Sequence, residues 1–388
     1  MKDRFKVMSL VGARPQFIKL APLCRAIEQF NARGGVQIDH FIVHTGQHYD
    51  HGMSDIFFEE LEIPRPDLNL GVGSGKHGAQ TAEMLKGTED ILLQEKPDIL
   101  VIFGDTNSTA AGALAAAKLH IPIAHIEAGL RSFNRDMPEE INRVMSDHLS
   151  DILLAPTPTA IENLKREGLA DRTESSGDIM YDTVMFNTKL ARQKSTLIQD
   201  LQLEGQSIAL ATIHRAENTN DTQRLETLLN KLNEFADHHL PVVFPMHPRT
   251  KNMLPNVLPD WKPSPNLRVI EPVGYLDMLA LIDHARLALT DSGGLQKEAF
   301  FLNTPCITLR DETEWVETIQ AGGNRLAGAD PELIDAAIAD WAQRWADQTP
   351  DFTEAIHEAF GRADSAEKTI DAIVRFLEKS LPETEKVA

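Results

Sequence analysis

Two cysteines, Cys24 and Cys306, are all that 388 residues contain. Two thiols cannot build a disulfide framework, and both stand in apolar runs that suit small buried side chains, so a reducing compartment is expected. Long apolar stretches are missing as well. No run approaches the ~20 residues that a membrane-spanning helix needs, and Met1-Lys2-Asp3-Arg4 leads into a strand-like run without a signal-peptide pattern. The expectation is a soluble cytoplasmic protein with no membrane attachment. Cations are scarce: 38 Lys plus Arg against 58 Asp plus Glu leave a formal net charge of −20. Such a surface repels phosphate backbones, which argues against nucleic acid as a partner. A small anionic ligand has to meet a pocket that is locally cationic.

With 42% hydrophobic and 25% charged residues, the chain has an ordinary globular composition. At ~100–200 residues per domain, a length of 388 implies two domains or three. Short apolar runs alternate with segments of helical period, the signature of βα units around a parallel sheet. Strands are expected at 5–11, 40–44, 99–103, 121–126 and 152–156, with helices at 17–31 and 110–119. The second half repeats the theme, with strands at 207–212, 241–244, 267–270, 285–290 and 305–309 and a helix at 223–238. The fold class is therefore α/β: two Rossmann-like, doubly wound domains facing a cleft, the first over 1–182 and the second over 183–364. The boundary follows from Gly177-Asp178 and the polar stretch 193–206 beyond it. An amphipathic pattern over 366–380 predicts a last helix, with a charged, fraying tail after Leu381.

In open parallel sheets ligands bind beyond the carboxyl ends of the strands. After the first strand come Gly12-Ala13-Arg14-Pro15-Gln16 and then Lys19, which put a guanidinium at a helix start where anions are already favoured. Asp105 follows the strand 99–103; it is either an N-cap or a chemical group, while Thr106 and Ser108 are alternative caps. Glu127 follows the next strand, and Glu139 opens a helix that carries Arg143, with Glu140 as a capping or surface partner for that arginine. Clustered carboxylates push each other's pKa values apart, which yields one proton donor and one acceptor at neutral pH.

In the second half His214 and Arg215 end the strand 207–212, well placed for a diphosphate, whereas His247 one strand later reads more readily as a core histidine. Asp291-Ser292-Gly293-Gly294 then opens a helix after 285–290, so backbone N–H groups, a hydroxyl and the helix dipole converge: a phosphate cradle, with Glu298 in reach of sugar hydroxyls. Two lookalikes are set aside. Residues 71–78 imitate a P-loop, but His77 follows the Gly-Lys pair where Ser or Thr is needed, and the glycine spacing is wrong. His44, His48 and His51 have metal-like spacing but lie on a strand end and a loop, so no metal site is assigned.

The runs GARPQFIKLAP, TGQHYD, GDTNST, HIEAGLR, PEEINR, HRAEN and DSGGLQKEA, in this order, resemble the non-hydrolysing UDP-N-acetylglucosamine 2-epimerase family from about Val7 onward. That resemblance implies a glycosyltransferase-B-like fold, a UDP-binding C-terminal domain and a final helix, 365–388, packing back on the N-terminal domain. It also implies a homodimer, a UDP-sugar ligand and no cofactor or metal. By motif position, Asp105, Glu127 and Glu139 become the acid/base groups, with His214 assisting at the diphosphate. Arg14, Lys19, Arg143, Arg215, Ser292, Gly293, Gly294 and Arg310 would bind substrate, Glu298 the ribose, and Tyr275 and Met278 the uracil side. Departures exist: Ala13, Gln16 and Ala216 replace the usual Thr, Glu and Arg, an arginine expected near Ala79 is missing, and Glu314-Trp315-Val316-Glu317 differs from the usual ERPE. These predict weakened or absent activation by substrate at a second, regulatory site. The same residues leave two other readings open, a 2-epimerase of a UDP-diacetamido-uronic acid and a glycosyltransferase of the same fold.

Overall fold

A computed structural model describes residues 2–46 and 62–380, leaving aside the Arg14 side chain. The chain divides into two compact units, one of residues 1–183 and 359–388 and another of residues 184–358. The division falls within the helix Ile179–Lys194.

In the first unit seven parallel strands lie in the order β3-β2-β1-β4-β5-β6-β7: β1 Arg4–Val11, β2 Gln37–His44, β3 Leu68–Asn69, β4 Ile99–Phe103, β5 Ile123–Ile126, β6 Ile152–Ala155 and β7 Thr173–Ser175. Central strands covered on both faces must be apolar throughout, and β4 is buried along its whole length. Met8, Leu10, Val43, Leu100 and Ile102 meet Ala113 and Ala116 of the helix Asn107–Lys118 in one core. The alanines keep that helix close to the sheet.

The second unit has six parallel strands in the order β10-β9-β8-β11-β12-β13, with β8 Ile208–Thr212, β9 Val242–Pro245, β10 Leu267–Ile270, β11 Ala285–Thr290, β12 Cys306–Thr308 and β13 Asn324–Leu326. Renumbered within the unit this is 3-2-1-4-5-6, the dinucleotide-fold order, in which the direction of winding reverses between β8 and β11. Its core joins Leu225, Leu229 and Phe235 of the helix Thr222–His238 to Trp341 of the helix Pro331–Trp345.

The ten strands expected from apolar runs are present, and the three short strands β3, β7 and β13 are additional. They stand at or beside sheet edges and carry too few apolar residues to signal themselves. The first helix begins at Arg14, three residues earlier than the pattern suggests, because Pro15 is compatible with a first turn and the Gln16 amide oxygen accepts from the N–H groups of Gly12 and Ala13. The last helix, Ser365–Ser380, turns Ile370, Ile373, Val374 and Leu377 inward and packs on the helix Arg14–Ala32 within the first unit. Asp182 caps it, accepting from Ser365 and Ala366 N–H at 3.1 and 3.0 Å. Residues 381–388, including the expected fraying tail, lie outside the described residues, as do 47–61, with His48, His51 and most of the TGQHYD run.

Candidate active site

In the first unit the chemistry gathers where β1, β4 and β5 end. Gly12 passes so close to β4's exit that a Cβ there would collide with Thr45 Oγ1 and Ser108 Oγ. Gln16 ties the two exits together: its amide nitrogen donates to the Phe103 carbonyl at 2.9 Å and to Thr109 Oγ1 at 3.1 Å. Arg14 opens the helix beside this staple. Gly104 follows β4 with φ +61°, and a Cβ on it would stand 3.3 Å from Lys19 Nζ and 3.4 Å from Glu127 Oε2. Lys19 and Glu127 form an ion pair in that space, with both side chains largely buried. Glu127 holds φ +68°, a left-handed backbone that a non-glycine residue keeps only when its surroundings impose it.

Asp105, next to Gly104, does not cap the following helix; Thr106 does, accepting from Thr109 N–H. Asp105 Oδ2 instead meets Arg143 Nη2 at 2.6 Å, and Arg143 Nη1 meets Glu140 Oε2 at 3.0 Å. Asp105 and Glu127 thus flank one glycine, each facing its own cation. Glu139 is exposed in the first turn of the helix Pro138–Leu149, one turn before Arg143, and makes no side-chain hydrogen bond or ion pair among the described residues. Glu140 is the buried one of the two: it accepts from Ser132 N–H, Ser132 Oγ and Phe133 N–H as well as from Arg143. Burial pushes its carboxyl up, but these donors outweigh it and hold the group below the usual range.

In the second unit the strand ends carry cations and N–H groups. Asp291, fully buried after β11, accepts from the N–H groups of His214 and Arg215 and from Asn218 Nδ2, and its Oδ1 lies 3.1 Å from His214 Nδ1. Burial opposes its ionisation, yet His214 and these donors keep the carboxyl below its usual range. His214 is thereby oriented while its ring stays one-third exposed, its centroid 5.3 Å from that of His247 with the ring planes tilted by 35°. His247 is exposed and not a core histidine; its ring nitrogen accepts from Arg249 N–H as cap of the helix Pro248–Val257.

Ser292 caps the helix Gly293–Phe301 through its oxygen and sends its N–H to Thr290 Oγ1, so Gly293 and Gly294 supply the outward N–H groups of the first turn. Around the point where a Gly293 Cβ would sit, Arg215 Nη2 and Arg310 Nη1 both stand at 3.7 Å and Glu314 Oε2 at 3.6 Å. Two guanidiniums and a helix N-terminus converge on one small volume, and Glu314 holds the buried Arg310 in place at 3.1 Å. Glu298 is buried one turn further along. Tyr275 is buried at the start of the helix Tyr275–His284 and Met278 is partly exposed one turn on, beyond the end of β10.

Residues 31–374 match the family model described as UDP-N-acetylglucosamine 2-epimerase. The chain belongs to that family. A Methanococcus maripaludis protein named UDP-N-acetylglucosamine 2-epimerase homolog is 48% identical over 371 residues, covering 95% of this chain and 99% of its own. A Pseudomonas aeruginosa UDP-2,3-diacetamido-2,3-dideoxy-D-glucuronate 2-epimerase is 49% identical over 332 residues, covering 85% of this chain and 90% of its own. Among solved structures, the Methanocaldococcus jannaschii UDP-GlcNAc 2-epimerase in complex with UDP-GlcNAc and UDP superposes with a TM-score of 0.81 at 42% identity, covering 95% of this chain and 99% of that one. Family membership makes the chain an isomerase with a glycosyltransferase-B-like fold, and among the described residues no helix is long and apolar enough to cross a membrane.

Sequence reasoning does not find several residues that shape this epimerase-family site. Gln16 stands out in the sequence only as a departure from the family pattern, yet it is the staple between two strand exits. Asp291 sits inside the DSGG run without a role attached, and Glu314 marks only an atypical segment. Motif position groups Lys19 with Arg14 for the diphosphate, whereas its ammonium stands on Glu127.

Proposed function

We propose that the protein is a non-hydrolysing 2-epimerase interconverting UDP-GlcNAc and UDP-ManNAc. The observation that carries this reading is the pair of carboxylates, Asp105 and Glu127, on either side of Gly104, each with its own cation. Epimerisation requires a base to remove the proton from carbon 2 on one face and an acid to return one on the other. In the first half-reaction that proton goes to a carboxylate, the C1–O bond breaks, UDP leaves with the electron pair, and the new C1–C2 double bond gives a 2-acetamidoglucal. In the second, a UDP oxygen adds back at carbon 1 while a proton reaches the opposite face of carbon 2. Asp105, Glu127 and Glu139 are the groups assigned to this traffic.

Negative charge grows on the diphosphate as the C1–O bond breaks, so preorganised donors there lower the barrier. Gly293, Gly294, Arg215 and Arg310 are suited to that task, with His214 held by Asp291 as a further donor. Arg14 joins them, Glu298 takes the ribose, and Tyr275 and Met278 border the base. The same reading makes the enzyme a cytoplasmic homodimer without metal or nicotinamide cofactor. The Pseudomonas relative supports a second reading, the same chemistry on a UDP-diacetamido-uronic acid. Side-by-side turnover of the two sugars, followed by NMR of the anomeric protons, decides: interconversion of UDP-GlcNAc and UDP-ManNAc supports the first reading, and turnover of the uronic acid alone replaces it with the second.

A further inference from the structure

The HIEAGLR run contains a histidine that the reaction scheme leaves unused. His125 lies in β5, two residues before Glu127, with no exposed surface. Its Nε2 is 2.7 Å from the Gly104 carbonyl oxygen and its Nδ1 is 2.7 Å from Asp147 Oδ1. A carbonyl oxygen can only accept. Asp147 is likewise an acceptor: burial pushes its carboxyl up, but hydrogen bonds from His125 and Arg131 bring it below the usual range. The ring therefore donates its Nε2–H to the Gly104 carbonyl and turns its Nδ1 to the Asp147 carboxylate.

The anchor behind the ring is rigid. The second Asp147 oxygen takes Arg131 Nη1 at 2.7 Å and Gly129 N–H at 3.1 Å, and Arg131 in turn grips Glu167 with two bonds of 2.8 and 2.7 Å. The Arg131 guanidinium thus lies between the carboxylates of Asp147 and Glu167, so the buried Asp147 has a paired cation. In front of the ring is the glycine that separates the two acid/base carboxylates. Gly104 is held at both polar atoms, its N–H donating to the Ile126 carbonyl at 3.0 Å and its carbonyl accepting from His125.

We propose that His125 is a positioning residue for epimerisation, whose Nε2–H fixes the Gly104–Asp105 peptide and so sets the placement of Asp105 relative to Glu127. This rests on the acid/base roles given to those carboxylates above. Proton transfer is sensitive to displacements of about half an ångström to one ångström, so a peptide free to tilt costs turnover even where the fold survives.

The two ring nitrogens can be removed one at a time. Glutamine places its amide nitrogen near the position of Nε2 and asparagine near that of Nδ1. His125→Gln keeps the tether to Gly104 and gives up the Asp147 contact; His125→Asn does the reverse. The expected result is a split: His125→Gln melts earlier than wild type but keeps kcat within about threefold, whereas His125→Asn loses kcat by about 10- to 100-fold with KM and UDP affinity unchanged. Equal losses in the two variants, or the opposite order, overturn the proposal. If His125→Asn fails to fold, His125→Gln decides alone: a lowered melting point with near-normal kcat sustains the tether, and a kcat loss beyond tenfold overturns it. A wild-type enzyme inactive on both UDP-sugars refutes the functional reading itself, an outcome distinct from an active wild type whose two variants behave alike.

Discussion

Glu139 and Glu140 are neighbours in sequence with opposite surroundings, and replacing each by glutamine separates catalysis from architecture. Glu140 accepts four hydrogen bonds, at 2.9, 3.0 and 3.0 Å from the Ser132–Phe133 turn and 3.0 Å from Arg143. In Glu140→Gln the amide oxygen can keep one side of this set, while the amide nitrogen turns toward the other side and meets a donor with a donor. One buried hydrogen bond is lost, another N–H is left unsatisfied, and Arg143 loses one of its two carboxylates. The sum is a destabilisation of about 2–4 kcal/mol. At about 2–4 °C per kcal/mol for a unit of this size, the thermal midpoint falls by about 5–15 °C. Glu139→Gln removes a solvated charge at a helix start, so the midpoint stays within about 2 °C. Its turnover falls by about 100-fold, as loss of an acid/base group requires. Differential scanning fluorimetry and NMR-followed turnover on the same samples give both numbers. A Glu140→Gln protein as stable as wild type, or a Glu139→Gln protein as active, refutes the respective half of the reasoning.

Asp105→Asn and Glu127→Gln are each expected to lower turnover by about 100-fold or more, and a near-normal rate in either removes that residue from the mechanism. Asp147 and Glu140 both titrate below their usual values in the folded protein, so their contribution to stability is present above the unfolded carboxyl range, near pH 4, and is lost as pH falls through the folded values. Thermal midpoints should drop steeply below about pH 4.5, with Asp147→Asn flattening the drop; an unchanged acid limb in that variant contradicts the assignment. Burial pushes the thiols of Cys24 and Cys306 up to about 12, so a thiol reagent at pH 8 should label neither in the native protein and both after denaturation. Initial rates should rise hyperbolically with UDP-sugar concentration, and sigmoidal dependence would show that a second, activating site survives the loss of its expected arginine near Ala79.

Strands such as Ile99–Phe103 are legible because burial on both faces demands an unbroken apolar run, and the polar residues after a run mark where the chain turns toward a ligand. That logic locates Asp105, Glu127, His214 and Ser292 from the residue order alone. It cannot phase a helix start: Pro-Glu-Glu gives no sign of which carboxylate turns inward, and the Ser132–Phe133 turn together with Arg143 selects Glu140. Pairings across long sequence separations are equally hidden, since nothing local in Lys19 points to Glu127 and nothing in His125 points to Gly104. Edge strands such as Asn324–Leu326 escape because backbone pairing, not apolar burial, defines them.

The proposed reaction removes one proton from carbon 2 and replaces it from solvent while UDP departs and returns. Incubation with UDP-GlcNAc in deuterated water, followed by NMR, tests it directly. Deuterium is expected at carbon 2 in both UDP-GlcNAc and UDP-ManNAc as equilibrium is approached, with no free sugar. Epimerisation with the original proton retained, or accumulation of free ManNAc, would contradict it.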